Sequence, residues 1–277
     1  MQRSQYLLLT LGLSATLFAA CQREIDLELP SQSDQLVVEG TFTDGPGPHL
    51  VKLSTITPYY EGGTRVPLEG ARLVISDDEG NEDVLTEERP GEYLSDMVGI
   101  LGRTYTLNIQ HQETSYEGSG TLLPPAMIDS VIAEFREENS FRREGYFVTL
   151  YGQFITPLAP NFYRMKVWRN DTLYSDRDDY QLLNDLNLIG ALDGLGSGHR
   201  YRALDTVRVE IDRLNEDMFN YYVGLIQLLY NDGGLFSPPP INPPTTLTNL
   251  TNPDDAPLGF FQVSSRVTVE VTVPEEE

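Results

Sequence analysis

"VPLEGARLVISDDEG", residues 66–80, is one β-strand held between two turns. Gly70-Ala71 lets the chain turn tightly into the aliphatic run Arg72 to Ser76, and Asp78-Glu79-Gly80 closes a hairpin behind it. The same grammar extends in both directions. "LVVEGTFTD" (36–44) and "HLVKLSTIT" (49–57) lie upstream; "EDVLTEE" (82–88), "GEYLSD" (91–96), "TYTLNIQ" (104–110) and "TSYEGSGTL" (114–122) follow. These runs are rich in Val, Ile, Thr and Tyr, and Gly, Asp, Asn and Pro separate them. Short strands at such spacing predict an antiparallel sandwich over residues 35–122, with Tyr93 and Tyr105 facing its core.

"VPLEGARLVISDDEG", then "RPGEYLSD" and "LGRTYTLNIQ", resembles the carboxypeptidase regulatory-like sandwich, an immunoglobulin-like module. That resemblance implies a structural spacer or an interaction platform.

"LLPPAMIDSV" (122–131) marks the predicted boundary, because Pro124-Pro125 forces extended backbone and donates nothing to a ladder. A larger antiparallel β domain is expected over 126–277. Its strands are "SVIAEFRE", "GYFVTLYGQF", "NFYRMKVWRND", "TLYSD" and "RALDTVRVEID", with Asn170-Asp171 as a hairpin turn. In "FYRMKVW", Phe162, Arg164, Lys166 and Trp168 share one face and Tyr163, Met165 and Val167 the other. Neither face is purely polar, which suits a sheet covered on both sides or an interface. One packed helix is predicted at about 214–231. Asn215 is its N-cap, Glu216 and Asp217 complement the helix start, and an apolar stripe runs through Leu214, Met218, Tyr221, Tyr222, Leu225, Leu228 and Leu229. Beyond it lies a proline-rich crossing at about 233–258, pinned by its aliphatic and aromatic residues, and "GFFQVSSRVTVEVTV" closes the sheet.

The amino terminus reads as an address. Residues 1–20 carry Arg3, an apolar run from Tyr6 to Leu17 and small residues at Ala19 and Ala20, the pattern of a secretory signal. The next residue, Cys21, is the one cysteine of the chain. Small-small-Cys resembles the lipobox of bacterial lipoproteins, with Phe18 where Leu is usual. That resemblance implies a diacylated Cys21; each buried methylene adds about 0.8 kcal/mol of membrane attachment. Residues 21–34 are then a tether, and Gln22-Arg23-Glu24-Ile25-Asp26 resembles the acidic tether of surface-exposed lipoproteins of Bacteroidota.

Composition sets further bounds. With 19 basic and 42 acidic residues the chain carries −23 at neutral pH, a charge that repels nucleic-acid phosphates. An aromatic content of 10% supports a packed core rather than disorder.

Taken in order, the lipobox, "LVVEGTFTD", "VPLEGARLVISDDEG", "RPGEYLSD", "PPAMIDSV", "FNYYVGLIQ" and "FSPPPINPPTTLTNL…LGFFQVSS" resemble the Bacteroidota lipoproteins grouped as domain of unknown function 4249. The resemblance spans nearly the whole chain. It implies no reaction; it implies an outer-membrane, cell-surface location and the company of TonB-dependent receptors.

Catalytic constellations are sparse. His49, His111 and His199 fall in separate segments without zinc spacing and read as solvated or hydrogen-bonded loop residues. There is no G-x-S-x-G, and "GLGSGHR" (194–200) lacks a strand-then-helix setting, so it reads as a mobile loop. "SDDEGNED" (76–83) and "SDRDDYQLLNDLN" (175–187) are acidic but miss the calcium-loop spacing, so they read as solvated turns and no metal or cofactor is expected. The expected role is a non-catalytic accessory or ligand-capture subunit of a TonB-dependent transporter. A surface hydrolase using an acidic pair assembled by the fold, and an adhesin-like spacer, are the alternatives. Partner contact is expected at Phe236, Ile241, Phe260 and Phe261, of which the last two sit beside the final strand and have an equal claim to the core.

Overall fold

The computed structural model describes residues 35–57, 64–140, 143–153, 160–184, 194–234 and 237–275. The signal, the tether with Cys21, and Phe236 lie outside these residues.

Strands form where the sequence alternates. The amino-terminal part contributes β1 (Leu36–Thr43), β2 (His49–Ile56), β3 (Arg65–Pro67), β4 (Arg72–Asp77), β5 (Glu82–Val84), β6 (Thr86–Arg89), β7 (Glu92–Ser95), β8 (Thr104–His111) and β9 (Thr114–Thr121). There follow β10 (Met127–Arg136), β11 (Gly145–Gln153), β12 (Phe162–Arg169), β13 (Thr172–Leu173), β14 (Gln181–Asn184), β15 (Leu195–Gly196) and β16 (Thr206–Leu214). Helix α1 (Glu216–Leu229) comes next, then β17 (Leu247–Asn249) and the long β18 (Leu258–Thr272). Among the described residues the fold is mainly β with one α-helix, as the sequence predicts.

A ten-stranded sheet in the order β13-β12-β16-β18-β1-β2-β7-β6, with β14 and β3 added beside β12 and β2, runs through the molecule. The odd-numbered side chains of β18 serve two cores in succession. Phe261 and Val263 meet Leu73, Ile75, Tyr105, Leu107 and Ile109 of the five-stranded sheet β17-β9-β8-β4-β5. Val267, Val269 and Val271 pack with Val148 and Leu150 of the three-stranded sheet β10-β11-β15. Tyr163, Met165 and Val167 face that second core as well, so the mixed strand "FYRMKVW" is covered on both sides: α1 lies over Phe162 on the other face.

The segments expected as two modules therefore share strands. β18 pairs in parallel with β1, Val37 opposite Leu258 through Thr43 opposite Ser264, and antiparallel with β16. β17 completes the other layer by pairing with β9, Leu247 opposite Gly118. The sandwich of residues 35–122 is thus closed by strands from the far end of the chain, and Ser33–Glu277 is one compact unit. Pro124-Pro125 joins β9 to β10 inside that unit. The parallel contact needs Gly259: its φ is +92°, and a Cβ there would lie 1.9 Å from the Val38 carbonyl oxygen.

Of the aliphatic residues expected to pin the proline-rich crossing, Leu247 is buried while Ile241 and Leu250 are exposed, and the crossing contains a strand. β16 leaves β18 beyond the Arg213–Ser265 pair, and the notch is filled by Thr245, whose hydroxyl donates to the Gly259 carbonyl (3.1 Å), and Thr246, whose hydroxyl accepts the Phe261 N–H (2.8 Å). Helix α1 is shorter at both ends than the predicted 214–231; Met218 and Tyr222 are buried, while Leu229 is exposed. Asn215 occupies the N-cap position with extended backbone, but its side chain caps nothing on the helix. Instead it donates to the carbonyls of Val263 (2.9 Å) and Thr121 (3.1 Å) and accepts the Thr121 N–H (3.3 Å), stapling β18 to the end of β9.

Candidate functional site

The predicted contact residues do not make one surface. Phe261 is 2% exposed and belongs to the first core. Phe260, one residue earlier on a strand, points to the opposite face and lies half-buried against Tyr221, ring centroids 5.0 Å apart. Ile241 is 79% exposed on the crossing. Alternation along β18 separates the two phenylalanines, so the even choice between core and contact resolves to core for Phe261.

The histidines divide by environment. His49 is buried against Phe42, with Nε2 2.9 Å from the Met97 carbonyl; burial lowers its pKa, against the opposing effects of that carbonyl and of Asp96. His111 ends β8. His199 stacks flat on Tyr174 at 3.9 Å and reaches Asp179 at 3.1 Å. The acidic turn at 76–83 is a closed hydrogen-bond cage and not a solvated turn throughout. Asp77 accepts N–H groups of Glu79 and Asn81, the Asn81 side chain, and Arg103 at 2.6 Å. Burial opposes charging Asp77, but these donors outweigh it and hold its pKa at about 2. Its oxygens are committed to the hairpin. Among the described residues no group of three or more His, Cys, Asp or Glu side chains is placed to hold a metal ion.

What the fold does assemble is a cleft of about 560 Å³ at one end of the second core. Phe135 from the end of β10, Tyr146 from the start of β11, Arg169 from the end of β12, and Arg200, Tyr201 and Arg202 from the segment after β15 line it. Local sequence places each of them. Tyr201 bridges to Tyr146 in an antiparallel pair and is buried, its hydroxyl donating to Ser197 Oγ at 2.8 Å. Burial raises the Tyr201 pKa well above the usual phenol value. Its neighbours Arg200 and Arg202 remain exposed. Gly145 lets the Arg200 stem lie against the backbone, because a Cβ there would sit 2.7 Å from Arg200 Cγ and Cδ. Arg200 Nη1 also donates to the Glu144 carbonyl (3.2 Å). "GLGSGHR" is therefore no mobile loop: Leu195 and Gly196 pair with β11.

Arg169 is held differently. Its Nε lies 2.7 Å from Asp205, which also accepts Asn170 Nδ2 and the Arg202 N–H, each at 2.8 Å. Burial works against ionising Asp205, and those donors outweigh it, so its pKa stays below the usual carboxylate range. The turn Asn170-Asp171, with φ of 47° and 63°, brings Asn170 to that position. Arg169 also lines a second cleft of about 320 Å³ with Asn170, Thr172 and Tyr174. The sequence contained a signal for this site, "RYR" at 200–202, in a chain short of basic residues. Phe135 and Tyr146 are partners across the β10–β11 pair, whereas Arg169 comes from another sheet and meets them only by sheet packing.

The family model described as Domain of unknown function (DUF4249) matches residues 22–270. The chain belongs to this family. No curated protein matches it. Among the described residues, no helix is long and apolar enough to cross a membrane.

Proposed function

We propose that this protein is an outer-membrane lipoprotein, anchored through acylated Cys21, that captures a ligand as the accessory subunit of a TonB-dependent transporter. The arginine- and tyrosine-lined cleft carries the capture half of this reading. Its size falls within the range of small-ligand sites, and its exposed Arg200 and Arg202 are binding groups. Asp205, which holds Arg169 at the rim of the cleft, is committed to structural donors. The address half rests on the lipobox-like segment ending at Cys21.

Affinity purification of the intact lipoprotein from gently solubilised outer membranes tests it, with Cys21→Ala as the unlipidated control. The expected result is stoichiometric recovery of a TonB-dependent receptor with the wild type. Recovery of the lipoprotein alone would remove the transporter partnership.

A further inference from the structure

We propose that the 560 Å³ cleft binds a monoanionic organic carboxylate, its carboxylate held by Arg200 and Arg202 and its ring lying on the Phe135–Tyr146 wall. This rests on the ligand-capture reading and supplies the chemistry of the ligand.

Charge is the first argument. Among the described residues, Arg65, Arg89, Arg103, Arg136, Arg169, Arg177, Arg208 and Arg266 each form an ion pair with a carboxylate. Arg200 and Arg202 form no ion pair among the described residues, although the chain has 42 acidic side chains. Two guanidinium groups that line one cleft and have no carboxylate partner among the described residues are poised for an external oxyanion. The planar fork of arginine matches a carboxylate by paired N–H donation.

Local balance sets the ligand's charge. Glu144 lines the cleft as well, and Asp205 neutralises Arg169, so the three arginines leave one net positive charge. That suits a monoanion. A phosphate dianion would be opposed by Glu144 at close range and by a chain carrying −23 overall. The wall sets the body of the ligand. Phe135 is 52% exposed, packed edge-on to Tyr146 with centroids 5.4 Å apart, and presents an apolar surface beside the arginines. A flat or ring-shaped body buries that surface where a small inorganic ion leaves it wet.

The experiment is calorimetric titration of the full-length chain in detergent with D-glucuronate, benzoate, glucose and inorganic phosphate. Glucuronate or benzoate is expected to bind with Kd of millimolar or tighter. Stronger binding of glucuronate marks the natural ligand as an acidic sugar, and stronger benzoate binding marks a non-sugar acid. Arg200→Gln with Arg202→Gln should weaken the carboxylate at least tenfold, with the thermal midpoint checked for an intact fold. Glu144→Gln should tighten it, and Phe135→Ala should weaken it without altering charge. The proposal is overturned if neither carboxylate binds at 10 mM, if glucose or phosphate binds as well as the better carboxylate, or if Glu144→Gln and the double arginine variant both leave affinity unchanged. Receptor recovery with no carboxylate binding would sink this inference alone. Carboxylate binding without a receptor would sink only the transporter partnership.

Discussion

Gly259 shows how one residue carries a tertiary contact. Its φ of +92° and the 1.9 Å approach of an added Cβ to the Val38 carbonyl leave no side chain a place, since backbone on both sides of the contact is held in a sheet. Gly259→Ala is expected to destabilise the protein by about 3 kcal/mol or more, read from urea unfolding. An effect below about 1 kcal/mol would mean that the β1–β18 contact gives way easily. His49 carries a pH signature. Its folded pKa lies below the unfolded value of 6.5 because burial disfavours the charged ring. The unfolded chain therefore binds more protons as pH drops through 6.5, and stability, full above that value, is lost downward toward the folded pKa. Unfolding free energy should decline as pH falls below 6.5, and His49→Gln should flatten that slope. Carboxylates with lowered pKa, such as Asp77 and Glu87, weaken the fold at lower pH, as it falls through their unfolded values near 4 and toward their folded ones.

At the scale of elements, α1 is fixed by a polar relay as much as by its apolar stripe. Arg164 Nη1 donates to the Tyr222 hydroxyl (2.6 Å), that hydroxyl donates to Gln262 Oε1 (2.9 Å), and Gln262 Nε2 donates to Ser264 Oγ (2.8 Å). Burial, ahead of every neighbouring charge, pushes the Tyr222 pKa up to about 12, so the hydroxyl stays protonated and able to donate. Farther along the same face Asp212 pairs with Lys166 at 2.9 Å and Arg266 at 2.6 Å. Tyr222→Phe strands Arg164 and Gln262 and should cost about 1–3 kcal/mol in thermal or urea unfolding, although it keeps the aromatic ring. No change would show that water replaces the hydroxyl. The stripe of α1 was legible because helical periodicity is local. The relay was not, since Arg164, Tyr222 and Gln262 come from three elements. The same holds for Asn215: its type and position signal a helix start, yet its hydrogen bonds go to β9 and β18. Short β3, β14 and β15 carry no alternation of their own and exist because a neighbouring edge was open.

For the whole molecule the decisive feature is β18, which pairs with β1 on one edge and β16 on the other and lends its inner face to both cores. Residues 35–122 alone would leave Phe42, Val38 and Leu107 without Phe261 and Val263. The unfolding of the full chain should therefore be one cooperative transition. Trp168, the sole tryptophan, sits on β12, the strand whose other face builds the second core, and reports that strand, whereas far-UV circular dichroism reports all strands. The two curves should coincide; a fluorescence transition displaced from the dichroism would restore two independent modules.

The sequence by itself determined the β class, the hairpin turns at Asp77–Asn81 and Asn170-Asp171, the helix and the buried Tyr93 and Tyr105. All of these follow from periodicity and turn chemistry within a few residues. Tertiary packing decided that β18 returns to β1, that Phe261 and not Phe260 faces the first core, and that Phe135, Tyr146, Arg169, Arg200 and Arg202 share a cleft. Those are contacts between distant segments, selected by which faces must be buried together, and no local pattern encodes the partner of a strand.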